Sequence, residues 1–418
     1  MTIVVNESRV MDEVRTDREF FAYATGWTED VQFEIGDESW VATIADGRIE
    51  AFGRGSNPDA GVRLSAEKEV WAALWSARPA PGFTGLDVAA TQGLRIDGDP
   101  VSSLGAYYPA LQRLVQLVGQ QDPNAAKPHA PAVREDAVRA RYVYVDVDGV
   151  EYRVFIQEAG DGTPLLLQHS AGADSRQWRH LLADPELQRR FRMIAIDLPF
   201  HGKSLPPRLE RWWKKEYQVD HNDLIKRFLA VADKLEVQNP IYLGWGKLGL
   251  DLAAEHGDRF RAIVALNPML HHDAVRTHNP ELFHYPQISE SFFGALEHGK
   301  TSPSGPEANR REIHWIVSSN GLGVYKGDYE YEIDDDHTRR RLGSIAASAT
   351  PMWLVAGEYD PAAFAEAGGT RDLAEAIPGS SYRLFRGVGG VGDNPAEFGV
   401  QIRELLNELD PRTSSTGE

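Results

Sequence analysis

Apolar and polar residues alternate with period two from Val31-Gln-Phe-Glu-Ile through Trp40-Val-Ala-Thr-Ile, and the alternation breaks at Gly36-Asp37 and Asp46-Gly47. Period two puts successive side chains on opposite faces of a sheet, so residues 31–50 predict antiparallel strands. Helical spacing takes over at 70–75, where Trp71, Leu74 and Trp75 recur, and again at 107–118. Strands grouped apart from helices predict a small α+β domain over residues 1–120. The periodicity then stops. Residues 120–136 carry three prolines and no apolar repeat, which predicts an exposed linker at 121–137 between two separable domains.

Past the linker the pattern changes. Residues 141–156 read as a hairpin about Asp148-Gly149. Short apolar runs follow at 165–168, 193–197, 241–245, 263–267, 352–357 and 382–386, separated by helical patterns. Strands alternating with helices predict an α/β domain over 138–412, its largely parallel sheet covered on both faces. A stretch at about 270–345, rich in histidine, proline and glycine and carrying the acidic run Asp334-Asp-Asp336, has little strand character. An excursion of that size between two core strands predicts a cap over the active face. Residues 413–418 are left as a tail.

Composition narrows the function classes. The chain has 418 residues, 42% hydrophobic and 25% charged, and no run reaches the roughly 18 apolar residues that span a bilayer. Residues 1–18 lack the apolar core of a signal peptide, which predicts a cytoplasmic location. No cysteine is present, so disulfides, thiolate metal sites and cysteine nucleophiles are excluded. A net charge of −18 opposes nucleic acid and anionic membranes over the surface as a whole. No motif calls for a metal or organic cofactor. A histidine cluster from His271, His272, His278 and His284 lacks metal-ligand spacing.

Two resemblances follow from particular residues. The strand pair about Gly36-Asp37 and Asp46-Gly47, the helix entry Leu64-Ser-Ala-Glu67, the turn Pro79-Ala-Pro-Gly-Phe83 and the turn Gly93-Leu-Arg-Ile-Asp-Gly-Asp99 resemble the sterol-carrier-protein type of lipid-binding domain. That resemblance implies an apolar tunnel for a lipid-like ligand; the alternative is that its aromatics only fill a core. The downstream region resembles the α/β-hydrolase superfamily in chain order. His169-Ser-Ala-Gly172 stands where the oxyanion loop is expected, Asp197-Leu-Pro-Phe-His-Gly-Lys-Ser204 at the following turn, and Gly244-Trp-Gly-Lys-Leu-Gly249 at the nucleophile elbow. Gly357-Glu-Tyr-Asp-Pro361 matches the acid-bearing turn, and Gly387-Val-Gly-Gly-Val-Gly-Asp-Asn394 the histidine loop.

The resemblance also exposes a subtraction. The nucleophile position is Gly246, which has no attacking atom, and the last histidine of the chain is His337, well before the histidine loop. The triad is therefore expected to be broken at two positions. What the resemblance leaves is backbone: the amides of Lys247 and Ala171 would form the oxyanion hole. Candidate proton-handling groups are Asp360 at the acid position, His271 and His272 beyond the strand at 263–267, and Lys247 if desolvated. Asp360 reads equally as a helix cap, and Lys247 as a solvated lysine opening a helix. His169, Ser170, Trp245, His314 and Trp315 are expected to touch substrate, Ser170 also being the one serine placed to act as a displaced nucleophile. The expectation is an enzyme acting on an apolar carbonyl compound by ester or C–C cleavage or a lyase step, without a serine nucleophile. The alternative is an inert relic that binds or delivers a lipid-like ligand.

Overall fold

The computed structural model describes residues 3–120, 133–208, 210–276, 280–285, 287–288 and 290–411. Most of the expected linker, the tail and His278 lie outside the described residues.

The first region forms a five-stranded sheet from β1 (Glu29–Ile35), β2 (Glu38–Ala45), β3 (Arg48–Arg54), β4 (Val62–Ala66) and β5 (Arg95–Gly98). Its order is β3-β2-β1-β4-β5, with β1 and β4 parallel and the other pairs antiparallel. One face is buried, so the period-two pattern holds through β2. Trp27, Phe33 and Trp71 are almost completely buried there.

The second sheet has eight strands: β6 (Arg139–Val147), β7 (Val150–Ala159), β8 (Thr163–Gln168), β9 (Phe191–Ile196), β10 (Ile241–Trp245), β11 (Ala262–Leu266), β12 (Met352–Gly357) and β13 (Ser381–Phe385). The order is β13-β12-β11-β10-β8-β9-β7-β6. Only the contacts of β7 with β6 and β9 are antiparallel. The β6–β7 turn places Asp148 at φ 54° and Gly149 at φ 81°, the double left-handed geometry that an Asp-Gly pair supplies at least steric cost. Separate apolar clusters cover the two faces, one around Phe228, Leu252 and Leu354, the other around Trp178, Phe191 and Ile402. The central strands read as continuous apolar runs because both of their faces are covered.

Between β11 and β12 lie four helices of the insertion, Glu290–Gly299, Glu307–Val317, Val324–Glu332 and Asp335–Ala347. Their apolar side chains do not close on the large sheet alone. Phe283, Phe292, Phe293, Leu296 and Tyr325 share a single buried cluster with the core of the first region. Tyr108 meets Phe292 edge-on at 5.2 Å, Arg311 of the insertion pairs with Glu19, and Thr84 donates to the Gly299 carbonyl. A β-carbon on Gly85 would lie 2.7 Å from the Gly299 α-carbon, so the two backbones cross in contact. Among the described residues no helix is long and apolar enough to cross a membrane.

A shared core predicts shared unfolding. Phe292→Ala should lower stability by about 3–5 kcal/mol, and calorimetry should show one transition moving as a whole; two transitions of which only one shifts would contradict it.

Candidate active site

The turn after β10 carries Gly246 at φ 64°, and Lys247 precedes the helix Leu248–His256. A left-handed residue between a strand and a helix is the geometry of a nucleophile elbow. Its side-chain space is already taken. A β-carbon built on Gly246 would lie 2.2 Å from Oε2 of Glu332, the last residue of the insertion helix Val324–Glu332. The same oxygen accepts a hydrogen bond from the Lys247 amide at 3.0 Å. A carboxyl group from the cap thus stands where the elbow residue would project. Burial pushes its pKa up, and the Lys247 charge and amide only partly offset that.

Lys247 is turned away from this carboxyl. Its Nζ donates to the carbonyls of Tyr331 at 2.9 Å and Asp334 at 2.7 Å. It therefore caps the C-terminal end of the helix that carries Glu332, where a cation meets unpaired carbonyls and the negative end of the helix dipole. The side chain is buried, which lowers its pKa. Of the two roles expected for Lys247, the structure places the backbone amide at the site and the ammonium beneath the cap.

At the histidine loop the arrangement repeats. A β-carbon on Gly390 would lie 2.4 Å from Cη2 of Trp245, and one on Gly389 would lie 2.0 Å from the Lys300 carbonyl. The Trp245 ring fills the space beside this loop. Asp393 is buried and accepts from the amides of Ser302 and Gly389, each at 2.8 Å, so it organises the loop from within.

A cavity of about 130 Å³ lies between the carboxyl ends of β10–β12 and the cap. Of the residues expected from sequence, Ser170, Ala171, Trp245, His272 and Asp360 line it. Asp360 also caps the helix Pro361–Phe364 by accepting from the Ala362 amide at 2.9 Å. Both of its readings therefore describe the same residue. Burial pushes its carboxyl up to about 7. His272 donates or accepts through Nδ1 with Asp335 Oδ1 at 2.7 Å, and burial outweighs that carboxylate to lower its pKa. His271 packs against Gly368 instead and does not line the cavity.

Other expected residues lie elsewhere. His169 Nε2 accepts from the Leu198 amide at 3.1 Å and its Nδ1 faces the Ser170 carbonyl at 2.8 Å, so the neutral ring, held near pKa 4 by burial, fastens two loops. Ser170 Oγ accepts from Gln177 at 3.1 Å, and among the described residues no histidine or carboxylate hydrogen-bonds to it. His314 stacks near Tyr23 of the first region, 6.2 Å between ring centres, and Trp315 is 70% exposed. Helical spacing sets these two on the faces of Glu307–Val317 turned from the cavity.

Sequence reasoning missed several lining residues. Asp87 and Thr91 come from the first region, and Glu297, Lys300 and Glu332 from the insertion, which also brings Tyr325, a residue the sequence offers as a substrate contact. Lys300 bonds Glu297 at 2.7 Å, and Tyr325 donates to the same carboxylate at 2.7 Å. Asp87 is pushed up to about 6 by burial. No local motif marks any of them; only tertiary packing brings them together. The cap is tied down by Asp328, which accepts from the Gly172 amide at 2.8 Å and from Tyr217 at 3.1 Å and pairs with buried His201 at 2.7 Å. Burial disfavours the charged ring of His201, but Asp328 outweighs it and raises the pKa.

One grouping among the described residues has metal-ligand proximity: His221, Asp334 and His337. The two rings stack at 3.4 Å and 12°, and each bonds Asp251 through one nitrogen. His221 Nε2 also faces Asp334 Oδ2 at 3.3 Å, so the grouping is a hydrogen-bonded clasp around the buried Asp251 carboxylate.

Comparison with known proteins bears on the fold of the downstream region. A family model described as alpha/beta hydrolase fold matches residues 163–311. A 2-hydroxy-6-oxo-6-(2'-aminophenyl)hexa-2,4-dienoic acid hydrolase of Metapseudomonas resinovorans is 31% identical over 127 residues, 29% of this chain and 41% of that protein. The acetyltransferase component of an acetoin cleaving system from Pseudomonas putida is 35% identical over 92 residues, 22% of either chain. This chain thus spans less than half the length of both curated relatives. An esterase of Thermogutta terrifontis superposes with TM-score 0.51 at 16% identity over 64% of this chain and 99% of its own. An esterase from a Rhodococcus species superposes with TM-score 0.51 at 22% identity over 65% and 99%. The downstream region has the α/β-hydrolase fold.

Two outcomes follow from the occupied elbow and the buried carboxyl. Gly246→Ser should lose about 1–3 kcal/mol, because its side chain meets Glu332, and a fluorophosphonate should leave that peptide unlabelled; labelling at wild-type stability would show that the space is free. Asp360→Asn keeps the cap but removes a carboxyl whose folded pKa lies above its unfolded value. That group's stabilising contribution is present below about pH 4 and lost as pH rises through about 7. Wild type should therefore lose melting temperature relative to Asp360→Asn across that window; parallel curves would contradict the assignment.

Proposed function

We propose that this chain is an enzyme that acts on the carbonyl group of a small, largely apolar molecule by proton transfer and water attack, without a serine nucleophile. The observation that carries the reading is the Glu332 carboxyl in the side-chain space of Gly246, bonded to the Lys247 amide and facing a cavity that also holds Asp360 and His272.

Burial favours the acid form of Glu332. A neutral carboxyl that accepts from the Lys247 amide at one oxygen has a proton to offer at the other. It would donate to the substrate carbonyl, doing the work that an oxyanion-hole amide does elsewhere. The Ala171 amide is the second donor in this reading. Asp360, near pKa 7, is matched in basicity to taking a proton from an attacking water, and His272, oriented by Asp335, is the alternative base. Water oxygen joins the acyl carbon, the C–O or C–C bond breaks, and the leaving group departs with a proton. Hydrolysis of an ester or of an activated ketone fits this sequence.

The resemblance of the first region to lipid carriers supports an apolar substrate. Its position supports a further role as a wall of the cavity, since Asp87 and Thr91 reach the same space. A second reading, a binding protein without turnover, is favoured by the same Glu332 contact, because the carboxyl occupies the Lys247 amide.

Turnover of p-nitrophenyl butyrate and a 1,3-diketone should proceed without a burst of acyl-enzyme. Glu332→Gln and Asp360→Asn should each lower kcat on the order of 10²-fold with circular dichroism unchanged. Absence of turnover across such carbonyl compounds, alongside saturable binding, would favour the second reading.

A further inference from the structure

Beside the helix Val324–Glu332, residues 205, 212 and 213 carry exposed apolar side chains. Leu205 is 56% exposed, Trp212 44% and Trp213 62%. The two indoles meet edge-on at 5.7 Å on the 3₁₀ turn Trp212–Lys214, none of whose residues is buried. Arg208, Arg211, Lys214 and Lys215 surround them, all exposed, against one acid between 208 and 215, Glu210. Among the described residues none of these four cations has an ion-pair partner. Adjacent Glu216 shares Lys326 with Glu281 and Glu330, at 2.5, 3.3 and 3.5 Å.

The patch continues onto the cap. His284 lies 3.8 Å from Glu216, and Tyr285 beside it is 45% exposed. A β-carbon on Gly323 would touch the His284 ring, and neighbouring Leu322 is 61% exposed. Tyr217 packs against Gly327 and bonds Asp328. The rim is therefore mounted on the helix Val324–Glu332, which carries Tyr325, Tyr329 and Glu332 into the cavity.

The geometry points to a docking surface for an anionic lipid bilayer, with Trp212, Trp213 and Leu205 entering the interface and Arg208, Arg211, Lys214 and Lys215 facing acidic headgroups. Charge complementarity carries the choice of partner. The protein as a whole bears −18, which repels an anionic surface, yet within a Debye length of about 8 Å only the nearby charges count, and on the turn that carries the indoles these are four cations against Glu210. Indole rings favour the headgroup level of a bilayer, where an apolar ring and an N–H are both satisfied. Each cation at such a surface is worth about fivefold in partitioning. The tip is a convex turn, suited to shallow penetration of lipid, whereas a protein partner would need a matching pocket for two adjoining indoles. Docking there would set the cap helix, and the cavity wall it forms, against a store of apolar molecules.

The test uses the full chain and its sedimentation with large unilamellar vesicles of pure phosphatidylcholine or of phosphatidylcholine with about a third phosphatidylserine. Binding to the serine-containing vesicles, none to phosphatidylcholine alone, and release by 0.5 M salt (a Debye length of about 4 Å) are expected. Trp212→Ala with Trp213→Ala, and Lys214→Glu with Lys215→Glu, should each weaken binding at least tenfold with unchanged circular dichroism. No binding to either vesicle, equal binding to both, or variants that bind as wild type would overturn the inference. Concentration-dependent dimerisation abolished by the same variants, without vesicle binding, would also overturn it and assign the rim to a protein contact.

Discussion

The site depends on a reciprocal clasp between the elbow and the cap helix Val324–Glu332. Lys247 gives its amide to the Glu332 carboxyl and its ammonium to the carbonyls of Tyr331 and Asp334. One residue thus binds the side chain and the backbone end of the same helix. Each contact supports the other: the ammonium fixes the helix terminus, which fixes the carboxyl, which occupies the space left by Gly246. A buried charge satisfied by main-chain carbonyls costs less than one left bare, and here it also sets the position of a cavity carboxyl whose acidity burial weakens.

The sheet was legible in the sequence because its strands are buried on both faces and so appear as apolar runs with turn signals between them. Residues 241–245 and 352–357 were placed by that pattern alone, and the loops at their carboxyl ends inherited their positions. The cap was not legible in the same way. Tyr329-Glu-Tyr-Glu332 looks like a solvated helix surface, and nothing local distinguishes Glu332, which lines the cavity, from Glu330, which does not. His314 and Trp315 drew attention as residue types, yet their helix turns them toward the first region and toward solvent. His271 and His272 were inseparable in sequence; only the chain direction after β11 divides them.

The two regions could be told apart by composition, but their relation could not. The cap helices are amphipathic, and their apolar faces need a partner that the large sheet does not supply. Phe292, Phe293 and Leu296 find it in the core around Tyr108 and Leu111. Trp27, Phe33 and Trp71 belong to the same joint interior. The same joint carries Asp87 to the cavity, held by the Tyr108 hydroxyl, which bonds its amide at 3.0 Å and its carboxyl at 3.2 Å.

Asp328 has a bearing on traffic. This carboxylate holds the Gly172 amide, the Tyr217 hydroxyl and the buried His201 ring at once, so the insertion helix that carries it cannot swing aside without leaving a buried carboxylate stripped of its partners, a step that costs several kcal/mol. Wide opening then belongs to rare, local-unfolding events, while side-chain breathing at the cavity rim remains fast. Molecules slim enough to pass between rotating side chains exchange on the short timescale, and bulkier ones wait for the long one.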